Sequence, residues 1–525
     1  MSDKRVPIIH PFLFAIYPIL LLYSRNVAEL SVLDAIRPTA IAIVSTLLMY
    51  LLWRAAVKDS HRAGVLTAIS VIMFWQYMRI YDSFVHALTF GGVEVGRHRV
   101  FLPLWSVIYL ALVIWIAKAR RDVQVVTRLA NYISLALVLA SIVSIACSAT
   151  LRVADPSPSS SVSNAEEMVD KLSVHAERPV RDVYYIILDA YARDDILRDV
   201  YHYDNSGFIN FLTSKGFYVA TASQSNYLQT YLSLSSSLNF EYVQTLADSK
   251  NDIDYRFLGH CIRDNRICLL LKKAGYKFIF FPSGFQTTCR NPHADSYMGA
   301  AGLNLTEFER VLIRNSMLHA YNFTVSAHRS RIRRTFDDLK LVPKDDAPTF
   351  TFVHIVCPHT PYVFDENGKV PHVPYLLNSK MSTQHVRDLY TGQLAYVTKK
   401  AQETIDVILA TSKVPPIILL QADHGPGYMG METGLAEGPL SEADIRHTGD
   451  GTSPTTCILN AYYFPGDGPD QLYRSISPVN SFRVMLNRYF GTNLPILEDC
   501  TYSTRWQPLH AGVKEFIPLS SSHSR

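Results

Sequence analysis

Several marks of common protein classes are scarce or missing in this chain of 525 residues. It has seven cysteines, and none of them forms a Cys-x-x-Cys pair, which excludes zinc-ribbon and thioredoxin-like sites. Neither sign of charge is in excess, because 50 basic residues nearly balance 46 acidic residues and leave a net charge of +4. The chain has no basic tail and no aromatic RNA-binding motif. We therefore expect no nucleic acid among its partners.

Charged residues are also scarce in the first 150 positions, where long apolar runs follow one another. Each run has about the ~17–25 residues that a helix needs to cross the hydrocarbon of a membrane. The runs are Ile8–Ser24, Pro38–Trp53, Gly64–Ile80, Phe101–Ala117 and Leu129–Ala149. Their number argues against a cleaved signal peptide and against buried helices of a soluble protein. The sequence predicts a transmembrane domain of five helices over residues 1–150.

Basic residues are unevenly spread over the breaks between these runs, and this predicts the orientation. Most of them come before the first run, after the second and after the fourth: Lys4, Arg5, Arg54, Lys58, Arg62, Lys118, Arg120, Arg121 and Arg128. Since basic loops stay in the cytoplasm, the N-terminus is predicted to be cytoplasmic. Five crossings would place the remaining chain outside. Residues 151–180 are rich in Pro and Ser and are typical of a linker, so residues 181–525 are expected to form an outer catalytic domain.

After the linker, short apolar runs alternate with helical patterns. The predicted strands are Tyr184–Leu188, Phe217–Ala220, Lys277–Phe281, Thr349–Val356, Ile417–Gln421 and Cys457–Phe464. The predicted helices between them are Phe208–Lys215, Ile267–Ala274, Ser316–Leu339, Gln384–Ala410 and Val479–Tyr489. This alternation predicts an α/β domain with a mostly parallel sheet sandwiched by helices. If the domain lies outside the cytoplasm, disulfides among Cys261, Cys268 and Cys289 are possible.

The first predicted strand, Tyr184–Leu188, is followed directly by Asp189. In open α/β sheets, ligands bind outside the carboxyl ends of the strands. The position therefore suits Asp189 for metal binding or catalysis. The alternative is that Asp189 only caps the helix that follows.

Two later segments offer partners for Asp189. Thr230 begins a Ser- and Leu-rich stretch that is typical of a helix start, where a hydroxyl can act as a nucleophile and the helix end attracts an anion. A capping or core threonine is the alternative. The predicted strand Ile417–Gln421 leads into Asp423-His424, which offers a hard oxygen and an imidazole to one divalent cation.

Three more polar residues are candidates with weaker signals. His359 follows a predicted strand and lies between prolines that restrict its loop, whereas His354 lies within that strand and is expected to be an ordinary core histidine. His447, in a polar loop, is a candidate ligand or phosphate contact. Asn226, just before Thr230, is a candidate substrate contact.

Taken together, Asp189, Thr230, Asp423, His424 and His359 resemble the active-site pattern of the alkaline phosphatase/sulfatase superfamily. The likeness is strongest to its membrane-anchored branch, the lipoteichoic acid synthases and lipid A phosphoethanolamine transferases. Those families have five N-terminal spans and an outer sulfatase-like domain. The resemblance implies that Asp189, Thr230, Asp423 and His424 hold one divalent metal ion, Zn²⁺ or Mn²⁺. It further implies that Thr230 is the nucleophile and that His359 acts on the substrate side.

The chain also departs from the pattern of these families. Asp189 stands where the transferases usually have Glu, and Gln229-Thr230 replaces their Gly-Thr, so the donor lipid does not follow from the resemblance. Cys357-Pro358 lacks the following arginine of the motif that true sulfatases convert to formylglycine. No convincing Asp-x-x-x-His set for a second metal is present, which favours one ion.

The resemblance implies an enzyme of a bacterial inner membrane, with its catalytic domain outside the cytoplasm. It would transfer a phospho-headgroup, of the phosphoethanolamine or phosphoglycerol type, from a membrane phospholipid to an envelope polysaccharide or lipopolysaccharide. A sulfatase-like hydrolase of phosphodiesters or sulfate esters is the first alternative. An inactive membrane scaffold is the second. The sequence leaves the donor, the acceptor and the metal open.

Overall fold

The fold was derived from a computed structural model of the chain. It describes residues 6–27, 30–85, 89–90, 93–94, 98–118, 123–153, 167–170, 172, 176, 178–247, 253–299, 305–321, 323–342, 347–371, 383–427, 453–466, 471–506 and 513–521.

The described helices fall into an N-terminal group of five and a later group. The first group is α1 (His10–Arg25), α2 (Val32–Val57), α3 (Ser60–Val85), α4 (His98–Lys118) and α5 (Gln124–Val153). The later group is α6 (Asp194–Asp199), α7 (Ser206–Ser214), α8 (Thr230–Asn239), α9 (Val243–Leu246), α10 (Tyr255–Arg263), α11 (Arg266–Lys273), α12 (Glu307–Arg314), α13 (Phe323–Leu339), α14 (Thr383–Thr411) and α15 (Pro478–Tyr489).

The described strands form one large sheet and two small hairpins. The hairpins are β1 (Thr89–Phe90) with β2 (Val93–Glu94), and β10 (Cys500–Trp506) with β11 (Val513–Ser521). The large sheet consists of β3 (Val183–Leu188), β4 (Tyr218–Val219), β5 (Lys277–Phe281), β6 (Ser296–Tyr297), β7 (Thr349–Ile355), β8 (Ile417–Gln421) and β9 (Asn460–Tyr463). Its strand order is β4-β9-β8-β3-β7-β5-β6.

The chain divides into two compact units. The helical unit comprises Met1–Ser157 and Leu305–Ser326, and the α/β unit comprises Pro158–Asn304 and Ala327–Arg525. The return of residues 305–326 to the helical unit is a feature that the sequence did not reveal.

The helical unit contains five N-terminal helices, at the places where the apolar runs predicted them. Four of these, α2 to α5, are long and apolar enough to cross a membrane by length and composition. Helix α1 has 16 residues, which gives it a length of about 24 Å against the roughly 30 Å of a hydrocarbon core. That α1 also crosses the membrane, as the first of the five predicted spans, therefore stays a prediction.

The later segment of the helical unit is held by an ion pair and by apolar packing. Thr306 and Glu309 form a capping box at the start of α12. The Glu309 carboxylate also accepts both guanidinium donors of Arg37, near the start of α2. Phe308 packs in the same apolar cluster as Ile19 of α1.

The α/β unit is built around four parallel strands in the middle of the large sheet. Strand β3 pairs in parallel with β7 and β8, and β5 pairs in parallel with β7. All six residues of β3 are buried, which requires cover on both of its faces and explains its unbroken apolar run. The mostly parallel sheet that the sequence predicted is confirmed, with antiparallel pairs only at β9 among the described strands of that sheet.

Two details of the outer domain differ from the sequence-based expectations. The stretch Ser316–Leu339 is not one helix, because a 3₁₀ turn over Met317–Tyr321 precedes α13. None of the seven cysteines, all of which lie in the described part of the chain, forms a disulfide. Cys261 and Cys268 pack in different apolar clusters, so the proposed disulfides do not form there.

Candidate metal centre and nucleophile

Strand register brings the two predicted carboxylates side by side. Ile187 of β3 is paired with Gln421 of β8 in a parallel ladder. Two residues further along each strand come Asp189 and Asp423, at the carboxyl edge of the sheet. Both are buried, with 2% and 3% of their surface exposed.

The turn after Asp189 is tightly constrained. Ala190 adopts a left-handed conformation with φ of 61°, which is unfavourable for a residue with a Cβ. Its N–H donates to Asp423 Oδ1 at 3.4 Å, so the strained residue links the two strand ends. Helix α6 begins at Asp194 with Arg193 as its N-cap residue. Asp189 is therefore not the cap of that helix, and strain at this turn is of the kind found at functional sites.

His424 lies at the centre of the predicted ligand set. Its Nε2 atom is 3.3 Å from Thr230 Oγ1, 3.4 Å from Asp189 Oδ1 and 3.6 Å from Asp423 Oδ2. The four side chains assigned to the metal from the sequence are thus brought together within one small volume.

The hydrogen bonds of His424 determine which ring nitrogen faces this volume as an acceptor. Its Nδ1 lies 2.7 Å from the carbonyl oxygen of Gly425. A carbonyl only accepts, so Nδ1 carries the proton and Nε2 of the neutral ring presents a lone pair. An Nε2 lone pair surrounded by carboxylate and hydroxyl oxygens is the arrangement of a metal ligand.

Gly425 itself is required by a close backbone approach. A Cβ atom at this position would lie 2.2 Å from the carbonyl oxygen of Pro454. Its N–H donates to Thr455 O at 2.8 Å and fixes the loop after His424. This explains the glycine of the Asp-His-Gly sequence.

Two buried carboxylate oxygens support a cation at this place. Asp189 Oδ1 and Asp423 Oδ2 have no hydrogen-bond partner among the residues that the structure describes. Burying a carboxylate costs much free energy unless it is paired or coordinates a metal. Carboxylate oxygens and imidazole nitrogens are ligands of Zn²⁺ and Mn²⁺, so the residues present fit a divalent ion.

The electrostatics of the two carboxyl groups point the same way. Burial and the neighbouring charge of Asp189 raise the pKa of Asp423. Burial alone would also raise the pKa of Asp189, but three nearby histidines outweigh it and hold that pKa below its ordinary value. A divalent cation would remove the repulsion between the two carboxylates.

Thr230 is the first residue of α8, and its hydroxyl faces the carboxylates. It is 7% exposed, and its Oγ1 lies 3.3 Å from His424 Nε2. The helix places its free N-terminal N–H groups at the same end, where they favour a negatively charged phosphoryl group. This arrangement suits a nucleophilic hydroxyl that attacks a phosphorus atom.

His359 joins the set from the loop after β7. One candidate ligand atom each from His359, Asp189 and His424 lies within 4.8 Å of the other two. The Nδ1 atom of His359 is 2.7 Å from Thr360 O, so its Nε2 is also the acceptor nitrogen of the neutral ring. His359 therefore has the position of a substrate-side residue or of a further ligand.

His354 is the residue at this site that the sequence interpretation underestimated. It is a buried strand residue, as expected, but its Nε2 lies 3.3 Å from Asp189 Oδ2. Its Nδ1 is 2.8 Å from Thr288 Oγ1, which fixes the ring. Together with Asp189 and Asp423 it forms a second group whose ligand atoms lie within 4.8 Å. Its place one residue before the carboxyl end of β7 was the signal that could have identified it.

The two remaining candidates are not part of this arrangement. The amide of Asn226 donates to Ser477 Oγ and Cys500 O, and its oxygen accepts from Val479 N–H. These contacts give Asn226 a structural role, and its substrate contact stays a prediction. His447 lies outside the described residues.

Comparisons with known proteins were made by family, by sequence and by structure. No protein-family model matches the chain. No curated protein matches it either.

Solved structures of several proteins are similar to it at low identity. One is the integral membrane protein lipooligosaccharide phosphoethanolamine transferase A from Neisseria meningitidis, with a TM-score of 0.38 and 12% identity, covering 91% of this chain and 94% of that one. Another is the C-terminal periplasmic domain of EcEptC from Escherichia coli in complex with zinc, with a TM-score of 0.41 and 15% identity, covering 65% and 92%. A third is a protein in the alkaline phosphatase superfamily from Vibrio parahaemolyticus, with a TM-score of 0.38 and 10% identity, covering 62% and 73%.

These proteins are of the kinds that the sequence resembles. Because every TM-score is below 0.5 and every identity is below 25%, the function proposed below rests on the geometry of the site.

Proposed function

We propose that this protein is a metal-dependent phosphotransferase of a bacterial inner membrane. It transfers a phospho-headgroup from a membrane phospholipid to a hydroxyl of an envelope polysaccharide or lipopolysaccharide. The observation that carries the proposal is that Thr230, Asp189 and Asp423 each place an oxygen within 3.6 Å of His424 Nε2 at the carboxyl edge of the sheet. A hydroxyl nucleophile next to a cation site favours group transfer through a covalent intermediate.

In this proposal Asp189, Asp423 and His424 hold one divalent ion, Zn²⁺ or Mn²⁺, beside Thr230. The ion would supply Lewis-acid stabilisation of the phosphoryl oxygens and lower the pKa of the nearby hydroxyl. His424 Nε2 lies 3.3 Å from the Thr230 hydroxyl and orients it beside the two carboxylates. The N-terminal N–H groups of α8 stabilise the negative charge of the phosphoryl group.

The reaction proceeds in two displacements. The Thr230 hydroxyl releases its proton to solvent and Oγ1 forms a bond to phosphorus. The bond from phosphorus to the diacylglycerol oxygen breaks, and His359, which has taken up a proton from solvent at Nε2, protonates the departing oxygen. The acceptor hydroxyl then attacks the phosphothreonine, forms the new phosphodiester and returns Thr230 to its starting state. Water in place of the acceptor would give hydrolysis at the same site.

The membrane topology of the proposal is supported within the helical unit. Arg37 and His98 lie near the starts of α2 and α4, at the helix ends that the basic-residue pattern places outside. Glu309 and His319, from the segment that follows in the outer chain, contact Arg37 and His98 respectively. These contacts place Glu309 and His319 at the same helix ends as Arg37 and His98, which supports an outer location for this segment of the helical unit.

The proposal is tested by replacing Thr230 in the full-length enzyme. Thr230→Ala should abolish turnover of a nitrophenyl phosphodiester and of labelled phospholipid, while zinc content and thermal unfolding stay close to those of the wild type. Thr213→Ala, at an exposed position of α7, is the matched control and should keep full activity. Full activity of Thr230→Ala would refute the assignment of the nucleophile.

Product analysis separates transfer from hydrolysis. With lipopolysaccharide or a polysaccharide present, the labelled headgroup should appear on the glycan. Release of free headgroup phosphate at the same rate with and without acceptor would establish the hydrolase instead.

A further inference from the structure

Helix α14 carries a buried amide that contacts the loop bearing His359. Gln393 has none of its surface exposed. Its Nε2 atom donates to Pro358 O at 3.0 Å and to His359 O at 2.9 Å. Its Oε1 atom accepts from Val363 N–H at 2.7 Å and from the next backbone N–H at 3.2 Å.

The composition of the loop explains why such a contact is needed. Pro358 and Pro361 lack N–H groups, so the loop cannot form a regular backbone ladder. Its carbonyl groups therefore need donors from elsewhere in the protein. Buried carbonyls without partners cost free energy. A glutamine amide offers two donors and two acceptor sites, and at Gln393 both ends are used on this one loop.

One turn earlier, the same helix contacts the loop after β3. Tyr390 is 1% exposed, and its hydroxyl donates to Ala190 O at 2.8 Å and accepts from Ala192 N–H at 3.1 Å. Ala190 is the left-handed residue that follows Asp189, and Ala192 lies two positions further along the same turn. Positions three residues apart lie on one face of a helix, so Tyr390 and Gln393 act from the same face.

The two loops are also joined to each other. The backbone N–H of His359 donates to the carbonyl oxygen of Asp189 at 3.0 Å. The loop after Asp189 and the loop that carries His359 are thus held by each other. Both are also held by α14, through Tyr390 and Gln393.

We propose that Gln393 is a positioning residue, which acts on the reaction through His359, and that Tyr390 does the same for the turn after Asp189. Neither residue contacts the reacting atoms. This inference rests on the proposed function for the role of His359, but the hydrogen bonds that carry it belong to the fold. The expected contribution is that of an outer hydrogen-bond partner of a metal or catalytic side chain, about 10–100-fold in activity or affinity.

The test is a double-mutant cycle in the full-length protein with labelled phospholipid as substrate, because its alkoxide leaving group needs the proton that His359 supplies. Gln393→Met keeps the length of the side chain and removes all of its hydrogen bonds. We expect kcat to fall about 10–100-fold, with KM changing much less. In a His359→Ala background the same substitution should change kcat by less than about threefold, because residues that act through each other are not additive.

Three controls distinguish positioning from general loss of stability. Gln384→Met, at an exposed position of the same helix, should leave kcat unchanged. Gln393→Glu keeps the acceptor atoms and loses the donors, so it should reproduce most of the fall in kcat. Zinc titration of metal-depleted protein measures affinity without turnover. In this measurement Tyr390→Phe should bind zinc more weakly than the wild type.

Each outcome decides the inference. Equal effects of Gln393→Met in both backgrounds, or no effect on kcat, would overturn the positioning role while leaving the proposed function intact. A wild-type protein that neither binds zinc nor cleaves phosphodiesters would overturn the proposed function and this inference together.

Discussion

The site draws its side chains from two regions that are built in different ways. Asp189 and Asp423 follow neighbouring parallel strands, and the register of those strands sets their separation. His359 lies four residues beyond the end of β7, in a loop between two prolines. Strand ends fix a side chain through the sheet itself, whereas the loop depends on contacts from a distant helix. The comparison predicts that substitutions at the strand ends abolish metal binding. Substitutions that affect the loop should lower kcat instead.

The largest effect is expected at the strand end. Asp189→Asn removes the carboxylate that both candidate ligand groups share. We expect loss of bound zinc and a fall in turnover of more than the roughly 100-fold that outer partners contribute. Elemental analysis of the purified protein and phosphodiester turnover measure both effects.

The same variant has a second effect, on the metal-free protein. Three neighbouring histidines hold the pKa of Asp189 below its ordinary value, so its ionised form stabilises the metal-free fold, and Asp189→Asn should lower the thermal unfolding midpoint of that form. Asp199→Asn, at an exposed position, is the control and should change neither metal content nor activity. Retention of zinc by Asp189→Asn would contradict the assignment.

The loop residue should affect rate according to the leaving group. His359→Ala removes the proposed acid, which is typically worth about 10²–10⁴-fold. The fall should be large for a phospholipid, whose alkoxide needs a proton, and small for a nitrophenyl ester, whose phenolate does not. Parallel kcat measurements on the two substrates test this. Equal losses with both would indicate that His359 serves as a metal ligand instead.

A smaller effect, on stability, is expected in the loop that follows His424. Gly425→Ala places a Cβ against the backbone of Pro454, and overpacking of this kind costs about 1–3 kcal/mol. Chemical denaturation of the metal-free protein measures the loss. Gly207→Ala in α7 is the matched control, since nothing lies within 4 Å of the added methyl group. Equal stability of the two variants would show that the loop after His424 can relax.

The smallest effect is a dependence of metal affinity on pH. Burial and the charge of Asp189 raise the pKa of Asp423, and the metal requires its deprotonated form. Zinc binding should therefore weaken as the pH falls through that raised pKa, by up to about tenfold per pH unit for one proton. Calorimetric titrations at several pH values measure this, and a constant affinity would exclude Asp423 as a ligand.

The strand ends were predictable from sequence, and the loop support was not. An unbroken apolar run followed by Asp, or by Asp-His, is typical of a buried strand with a polar residue at its carboxyl end. This pattern is the reason why β3, β8 and the candidate metal ligands that follow them were predicted. Gln393 looks like any residue of a long helix, and only the tertiary fold reveals its contacts. The same holds for Glu309, whose partner Arg37 precedes it by 272 residues.

Other differences have local causes. Strand β6 has only two residues, too few for a periodic pattern. Strand β10, with sequence CTYSTRW, alternates polar and aromatic residues without an apolar run, so it was not predicted. His354 was classed with the core because it lies inside a strand, where a ring that contacts a ligand and a ring that only packs have the same sequence pattern.

The central claim is that Thr230 becomes covalently phosphorylated during turnover. Rapid acid quenching of the full-length enzyme with phospholipid donor and no acceptor, followed by peptide mass spectrometry, measures it directly. The account predicts a phospho-headgroup adduct on Thr230 that disappears when the glycan acceptor is added. Turnover of the donor with unmodified Thr230 at every quench time, or an adduct on another residue, would contradict it.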